Sequence, residues 1–211
     1  MTHPRVRKIV AAFDFDGTIS TRDTFLPFLF RVFGWSRVLR VLIPLTGDGL
    51  RVLLGRASRD AFKARLIERL FTGAPVSTIT PHGLRHAEAV RRILRPQALE
   101  RIEWHRAQGH RLVMVSASLE LYLCYVAAYL RFDDLLCTQL GEEGACFDGR
   151  MAGGNCRGPE KVKRLEGLLG DLSELEIYAY GDSDGDREML DIAQHPFYQP
   201  FRDKQTGTAG S

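Results

Sequence analysis

No pair of cysteines in this 211-residue chain stands at zinc-finger or redox spacing. Its four cysteines, Cys124, Cys137, Cys146 and Cys156, form no Cys-x-x-Cys and have no histidine at zinc-ligand distance along the chain. That excludes a structural zinc site and a thioredoxin-type motif. Cys124 lies in an apolar run and reads as a buried thiol, so the chain is expected to be cytoplasmic and reduced. Also absent is an uninterrupted apolar run of the roughly 18 residues that a membrane span requires. The most apolar stretch, Val38 to Leu54, is broken by Arg40, Pro44, Gly47, Asp48, Gly49 and Arg51. Ile9 to Phe13, after the basic Met1 to Lys8, is too short for a signal-peptide core. A transmembrane helix is not expected; contact with a membrane surface stays open. Charge of one sign is lacking too. The 29 Lys and Arg against 26 Asp and Glu leave a net +3, spread along the chain, which argues weakly for anionic ligands and gives no ground for a nucleic-acid partner. There is no internal repeat. With 45% apolar and 26% charged residues, the composition is that of an ordinary globular protein rather than a disordered one.

What the chain does have is alternation. Lys8 to Phe15 reads as a buried strand ending in the polar turn Asp14-Phe15-Asp16-Gly17-Thr18. Thr21 to about Leu94 is helical in pattern, with apolar faces at Phe25, Leu26, Phe28 and Leu29, at Val38, Leu39, Leu42 and Leu45, and at Ala61, Phe62, Leu66 and Leu70. Pro75 and Pro81 are expected in loops. Gln97 to Gln108 predicts a helix capped by Gly109. Arg111 to Val115 predicts a second strand, ended by Ser116-Ala117-Ser118, and Leu119 to Leu130 a helix. Leu135 to Gln139 reads as a short strand, and Cys146 to Met151 as a hairpin turning on Asp148-Gly149. Pro159 to Leu169 predicts a helix with Pro in its first turn. Leu175 to Tyr180 predicts a third strand, running into Gly181-Asp182-Ser183-Asp184-Gly185-Asp186, with a short helix from Arg187 to Ala193. Strand followed by helix implies an α/β, doubly wound parallel sheet. The domain reading is a core of residues 1–20 and 96–202, a helical insertion of residues 21–95, and a frayed tail at 203–211.

In such a sheet, ligands bind beyond the carboxyl ends of the strands. Asp14 and Asp16, Ser116, and Asp182 and Asp186 all fall at that edge. Four carboxylates there repel one another unless some protonate or a cation joins them. A hard divalent cation with oxygen ligands, Mg²⁺, resolves the conflict. The carboxylates of Asp14 and Asp182 would then lie within roughly 4–5 Å, one cation's coordination diameter, with Lys161 facing Asp14. An EF-hand reading of Asp182 onward fails, because positions six and twelve hold Arg187 and Ala193. Lys161, at a helix start, could neutralise a phosphate, although a lone helix Lys is more often solvated. Ser116 and the amide of Ala117 could donate to phosphate oxygens; a helix N-cap is the competing role for Ser116.

Together these residues resemble the haloacid dehalogenase superfamily. Phe13-Asp14-Phe15-Asp16-Gly17-Thr18 looks like its first motif, Val115-Ser116-Ala117-Ser118 its second, Lys161 its third, and Gly181-Asp182-Ser183-Asp184-Gly185-Asp186-Arg187-Glu188-Met189-Leu190 its fourth. The fourth is similar to that of the phosphoserine-phosphatase-like branch (subfamily IB). The resemblance implies a Rossmann-like core with a helical cap, and a Mg²⁺-dependent phosphatase. Asp14 would be the nucleophile that forms an aspartyl-phosphate, and Asp16 the general acid and base. Asp14, the backbone carbonyl of Asp16, and Asp182 would hold the metal, with Asp186 behind them. Ser116 and Lys161 would stabilise the transferring phosphoryl group. Asp23 stands where the branch carries a Glu for the substrate amine, and Arg69 resembles the cap Arg that grips a carboxylate.

The substrate implied is a phosphoserine-like small metabolite or a phospholipid head group. Asp23-Thr24-Phe25 and the apolar early insertion also look like relatives of phosphatidylglycerophosphatase C, which would put the chain at a membrane surface. Two other classes stand beside hydrolysis: a catalytically silent phosphate-binding regulator, and a dehalogenase, which Asp16 disfavours. Oligomeric state and the choice between hydrolase and phosphotransferase stay open.

Overall fold

The computed structural model describes residues 8–45 and 59–202. The expected apolar stretch from 46 to 54 and the tail at 203–211 lie outside them. At its centre is β1 (Lys8–Phe13), a strand buried from Val10 onward. It pairs in parallel with β2 (Arg111–Leu119) on one side and β5 (Leu175–Gly181) on the other. β3 (Asp134–Glu143) extends the first side and β6 (His195–Tyr198) the second, both parallel. β4 (Cys146–Ala152) returns antiparallel on β3, giving the order β4-β3-β2-β1-β5-β6. From β1 the chain builds outward through β2 to β3, then crosses back to β5. The strand order therefore reverses between β1 and β5, the switch point where doubly wound sheets bind ligands.

Side chains alternate across the sheet. Ala11, Phe13, Leu112, Met114 and Tyr180 face one layer, which also contains α1 (Phe25–Leu42), α2 (Arg59–Phe71), α3 (Val76–Val90), α4 (Pro96–Ala107) and α5 (Glu120–Tyr129). Val10, Ala12, Val113, Val115, Ile177 and Ala179 face the other, against α6 (Pro159–Leu169) and the short α7 (Arg187–Asp191). The inserted helices pack on one another, α2 also meets β4, and α3 lies along α5.

Several local expectations shift. The first strand ends at Phe13, and Asp14 already begins an irregular turn, Phe15–Ile19. β2 runs on to Leu119, so Ser116 is inside the strand and does not cap α5, whose N-cap is Leu119. β3 is ten residues long rather than five. The hairpin turns at Gly144-Ala145, whereas Asp148-Gly149 sits in β4 where the pairing slips by two residues. The Asp-Gly pair serves a bulge there, with Gly149 at φ +79°. Pro81 is inside α3 instead of in a loop. The buried face of Ile79, Gly83, His86, Ala87 and Val90 outweighs the one backbone bond that Pro81 removes. β6 had no sequence signal: it is four residues long, includes Pro196 and forms the sheet edge, the place where a strand tolerates proline. In the Val38–Leu54 stretch, Val38 and Leu45 are core residues while Leu39 and Ile43 are exposed.

Gly83 marks the tightest helix crossing. A Cβ there would stand 1.8 Å from the carbonyl oxygen of Leu121 in α5. Ala is the better helix former by about 1 kcal/mol, but overpacking against backbone costs about 1–3 kcal/mol and the carbonyl cannot turn aside. Gly83→Ala is therefore expected to destabilise the protein, read as a lower midpoint in urea denaturation. A raised midpoint would contradict this packing.

Candidate active site

At the carboxyl end of β1, Asp14 N–H donates to the carbonyl of Tyr180 on β5 (2.8 Å), which pins the turn to its neighbour strand. Gly17 then takes φ +80°, and a Cβ on it would stand 2.2 Å from Asp182 Oδ2. Glycine is required there both for the backbone angle and for the approach of that carboxylate. One oxygen each from Asp14, Asp182 and Asp186 lie within 4.8 Å of one another. Residues from β1 and from the segment after β5, about 170 positions apart in sequence, thus meet at the switch point.

Lys161 projects into this group from the first turn of α6 and is 1% exposed. Its ammonium donates to Asp14 Oδ1 (2.6 Å), Asp186 Oδ1 (2.6 Å) and the carbonyl of Val115 (2.7 Å). All three of its protons are used, so what it offers a substrate is charge. Asp186 is similarly committed, since its Oδ2 accepts from the amides of Asp182 and Ser183 and from Ser183 Oγ. It braces the loop more than it faces outward. Asp14 Oδ2 accepts from Thr18 Oγ1 (3.3 Å), and Asp182 Oδ2 from Arg202 (3.0 Å).

The buried Lys161 ammonium and the Arg202 guanidinium stand against three carboxylates, which leaves one surplus negative charge in a largely buried place. Burial, seconded by Asp186, pushes Asp14 up to about 7 although Lys161 opposes it. Burial also raises Asp182. For Asp186 burial acts upward as well, but Lys161 and the Ser183 hydrogen bonds prevail and hold it below the usual carboxylate range. A hard oxygen donor set with this charge surplus fits a divalent cation such as Mg²⁺.

Asp16 points elsewhere. Its Oδ1 accepts from Thr24 N–H (2.9 Å) and Thr24 Oγ1 (2.7 Å), and its Oδ2 from Ser118 Oγ. Burial, then Asp23, raises it to about 6. Ser116 is buried within β2, its Oγ accepting from Ser118 N–H (3.1 Å).

Next to Asp16 is a small cavity of about 130 Å³ lined by Asp16, Asp23, Arg59, Asp60, Lys63, Ala117, Ser118, Asn155 and Arg157, with Phe25 among them. Lys63 of α2 donates to the Ala117 carbonyl and to Asn155 Oδ1 (2.8 Å), while Asn155 Nδ2 donates to Asp60 (2.7 Å). Three hydrogen bonds thus tie α2 to the core across the cavity. Burial lowers Lys63 to about 8, against the pull of Asp16, Asp23 and Asp60. Asp23 is at the cavity and also holds the first turn of α1 through Leu26 N–H (3.2 Å). Arg69 is not brought in. It is exposed and six residues beyond Lys63 on the same helix, about 240° around it. The basic residues that α2 does bring are Arg59 and Lys63. Sequence reading passed over Lys63 and Asn155: a Lys on an amphipathic helix looks solvated, and nothing local marks that Asn.

The chain matches the family model for haloacid dehalogenase-like hydrolase over residues 11–191. It belongs to that family. Within it, the chain is similar to Protein CicA of Caulobacter vibrioides, 37% identical over 207 residues covering 93% of this chain and 88% of the relative. Among solved structures, a protein with unknown function from Bordetella pertussis Tohama I superposes with TM-score 0.75 at 20% identity, covering 88% of this chain and 87% of that one. A substrate-bound phosphoserine phosphatase complex superposes with TM-score 0.59 at 14% identity, covering 90% and 84%. At those identities the solved structures speak for the fold of this hydrolase-family chain.

Asp14 bears on metal affinity. Its folded value of about 7 against 3.8 unperturbed means that the folded, metal-free protein holds a proton there below neutrality, and a cation has to displace it. Apparent Mg²⁺ affinity is expected to weaken by up to about tenfold per pH unit below pH 7 and to level off above it. Fluorescence titration with MgCl₂ across that range reads this directly; a flat affinity would contradict a ligand role for Asp14.

Proposed function

We propose that this chain is a Mg²⁺-dependent phosphomonoester hydrolase working through an aspartyl-phosphate on Asp14. The observation that carries the reading is the buried Lys161 ammonium bonded at 2.6 Å to both Asp14 and Asp186, with Asp182 in the same cluster. Asp14, Asp182 and the backbone carbonyl of Asp16 would hold the cation, with Asp186 behind. When bound, it neutralises charge on the phosphoryl oxygens and on the nucleophile.

A carboxylate oxygen of Asp14 attacks phosphorus and the bond to the leaving oxygen breaks, while Asp16 gives that oxygen a proton. In the second half Asp16 takes a proton from water, the water oxygen bonds phosphorus, and the bond to Asp14 breaks. Lys161 supplies fixed positive charge, and Ser116 and the Ala117 amide donate to phosphoryl oxygens. Helices α1–α3 act as the cap, closed over the site through Lys63, Asn155 and Asp60, which excludes water from the first step.

A cavity of about 130 Å³ with Arg59, Lys63 and Arg157 facing Asp16, Asp23 and Asp60 suits a small leaving group that carries charge of both signs, as in a phosphoserine-like metabolite. A second reading, a lipid phosphate at a membrane surface, draws on the exposed Trp35 and Leu39 of α1 and Ile43 just past its end, spaced at i, i+4 and i+8. Among the described residues no helix is long and apolar enough to cross a membrane.

Turnover of p-nitrophenyl phosphate with MgCl₂ tests the class. Asp14→Asn is expected to abolish it, and Asp16→Asn to lower hydrolysis of alkyl phosphates, with their poor leaving groups, by about 10²–10⁴-fold. Activity surviving in Asp14→Asn would remove the nucleophile assignment, and inactive wild-type protein that still binds phosphate would favour the silent regulator. Parallel assays with phosphoserine and phosphatidylglycerophosphate in mixed micelles separate the two substrate readings.

A further inference from the structure

Three buried hydroxyls surround the Asp16 carboxylate, and none belongs to the nucleophile or the metal cluster. Thr24 is at the entry to α1, Ser118 at the end of β2 and Tyr122 in the first turn of α5, and all are at most 2% exposed. Tyr122 Oη is 2.8 Å from Ser118 Oγ and 3.0 Å from Thr24 Oγ1. Thr24 Oγ1 is 2.7 Å from Asp16 Oδ1, and Ser118 Oγ contacts Asp16 Oδ2. The four groups close a ring: Asp16, Ser118, Tyr122, Thr24 and back to Asp16.

Each hydroxyl has one proton and can accept as well. With Asp16 ionised, Thr24 and Ser118 both donate to the carboxylate and Tyr122 donates to Ser118. With a proton on Asp16 Oδ2, the direction runs the other way round the ring. Asp16 donates to Ser118, Ser118 to Tyr122, Tyr122 to Thr24, and Thr24 still to Asp16 Oδ1. Every donor has an acceptor in both states, and no heavy atom moves. The backbone helps to hold this geometry: Thr24 N–H donates to Asp16 Oδ1, and the Thr24 carbonyl accepts from His86 Nε2 (3.0 Å) of α3.

We infer that Tyr122 is a positioning residue for Asp16, its hydroxyl completing a ring that holds this carboxylate in one place both with and without the proton it transfers. This rests on the acid–base reading of Asp16 and extends it. When the leaving oxygen takes the proton, the Asp16 O–H turns from Ser118 to that oxygen, its O–H bond breaks as the leaving-group O–H bond forms, and the hydroxyls of Ser118 and Tyr122 rotate back to the ionised pattern. A buried carboxylic acid with an unmatched donor next to it would cost the acid form specifically. Without Tyr122 Oη, the proton of Ser118 has only Thr24 Oγ1, at 3.5 Å, to turn to, whereas the ionised form keeps all three of its hydrogen bonds.

Tyr122→Phe removes the hydroxyl and keeps the ring packed against Phe28 and His86 (centroids at 4.9 and 4.8 Å). The readout is kcat/KM, which reports the step that forms the phospho-enzyme, on two aryl phosphate esters. Phenyl phosphate has the poorer leaving group and needs the acid; p-nitrophenyl phosphate needs it less. In Tyr122→Phe the phenyl to p-nitrophenyl ratio is expected to fall about fivefold or more, within the range of general-acid effects. Ser118→Ala, which opens the ring at another point, is expected to lower the same ratio. Thermal melting of both variants is followed alongside. Equal changes on the two esters, or no change, in both variants would overturn the inference, because a purely structural role lowers both alike. Asp16→Asn separates the two levels. A ratio that collapses there but not in Tyr122→Phe or Ser118→Ala defeats the ring alone, and a ratio unmoved even in Asp16→Asn defeats the acid assignment beneath it.

Discussion

A single buried ammonium holds the site together. Lys161 bonds the ends of three separately built pieces, Asp14 after β1, Val115 on β2 and Asp186 after β5. Taking such charges out of water is expensive, and the attraction between them repays it only when the geometry is good and every remaining donor and acceptor is matched. Here Lys161 and Asp186 are matched to the last hydrogen bond. The opposing fields leave Lys161 raised despite burial, because Asp14 and Asp186 outweigh the desolvation. The cluster nonetheless keeps an excess of negative charge around Asp14 and Asp182. That excess suits a divalent cation, and burial, with Asp186 adding to it, raises Asp14 against the pull of Lys161.

The rest of the architecture serves that arrangement. The strand reversal between β1 and β5 brings the two acidic loops side by side, and Gly17 lets Asp182 come close enough. The inserted helices contribute from above. Lys63 and Asp60 engage Asn155 and the Ala117 carbonyl, so α2 is fastened at the cavity where a leaving group would sit. Asp16 is directed to that side and away from the Asp14, Asp182 and Asp186 cluster, with hydroxyls against its two oxygens. Two carboxylates two residues apart therefore differ in environment: Asp14 answers to Lys161 and Asp186, and Asp16 to Thr24 and Ser118. A nucleophile and an acid need that kind of separation.

How far the chain could be read in advance follows the range of the signals. Buried parallel strands ending in Asp14, Ser116 and Asp182 are local patterns, and their convergence follows from the handedness of strand–helix–strand connections. Lys161 was legible only through the family motif order, since its own neighbourhood looks like a solvated helix start. Thr24, Ser118 and Tyr122 could not be joined from sequence, because 94 and 98 residues separate Thr24 from its two partners and hydroxyls carry no periodic signature. The same holds for Lys63 and Asn155. Arg69 has a motif-like spacing, but six residues from Lys63 it lies about 240° around the helix, on an exposed position. Asp148-Gly149 gave the strongest short-range turn signal in its region, yet the adjacent Gly144-Ala145 makes the turn and the Asp-Gly pair makes a bulge, a conformation with the same need for positive φ.

The account stands on Asp14 as the group that receives a phosphoryl unit beside a divalent cation. Trifluoroberyllate, a phosphoryl mimic that binds carboxylate oxygen, probes this without turnover. In ¹⁹F NMR the account predicts one protein-bound species that appears only with Mg²⁺ and is lost in Asp14→Asn. A bound signal that forms without Mg²⁺, or that persists in Asp14→Asn, would contradict it.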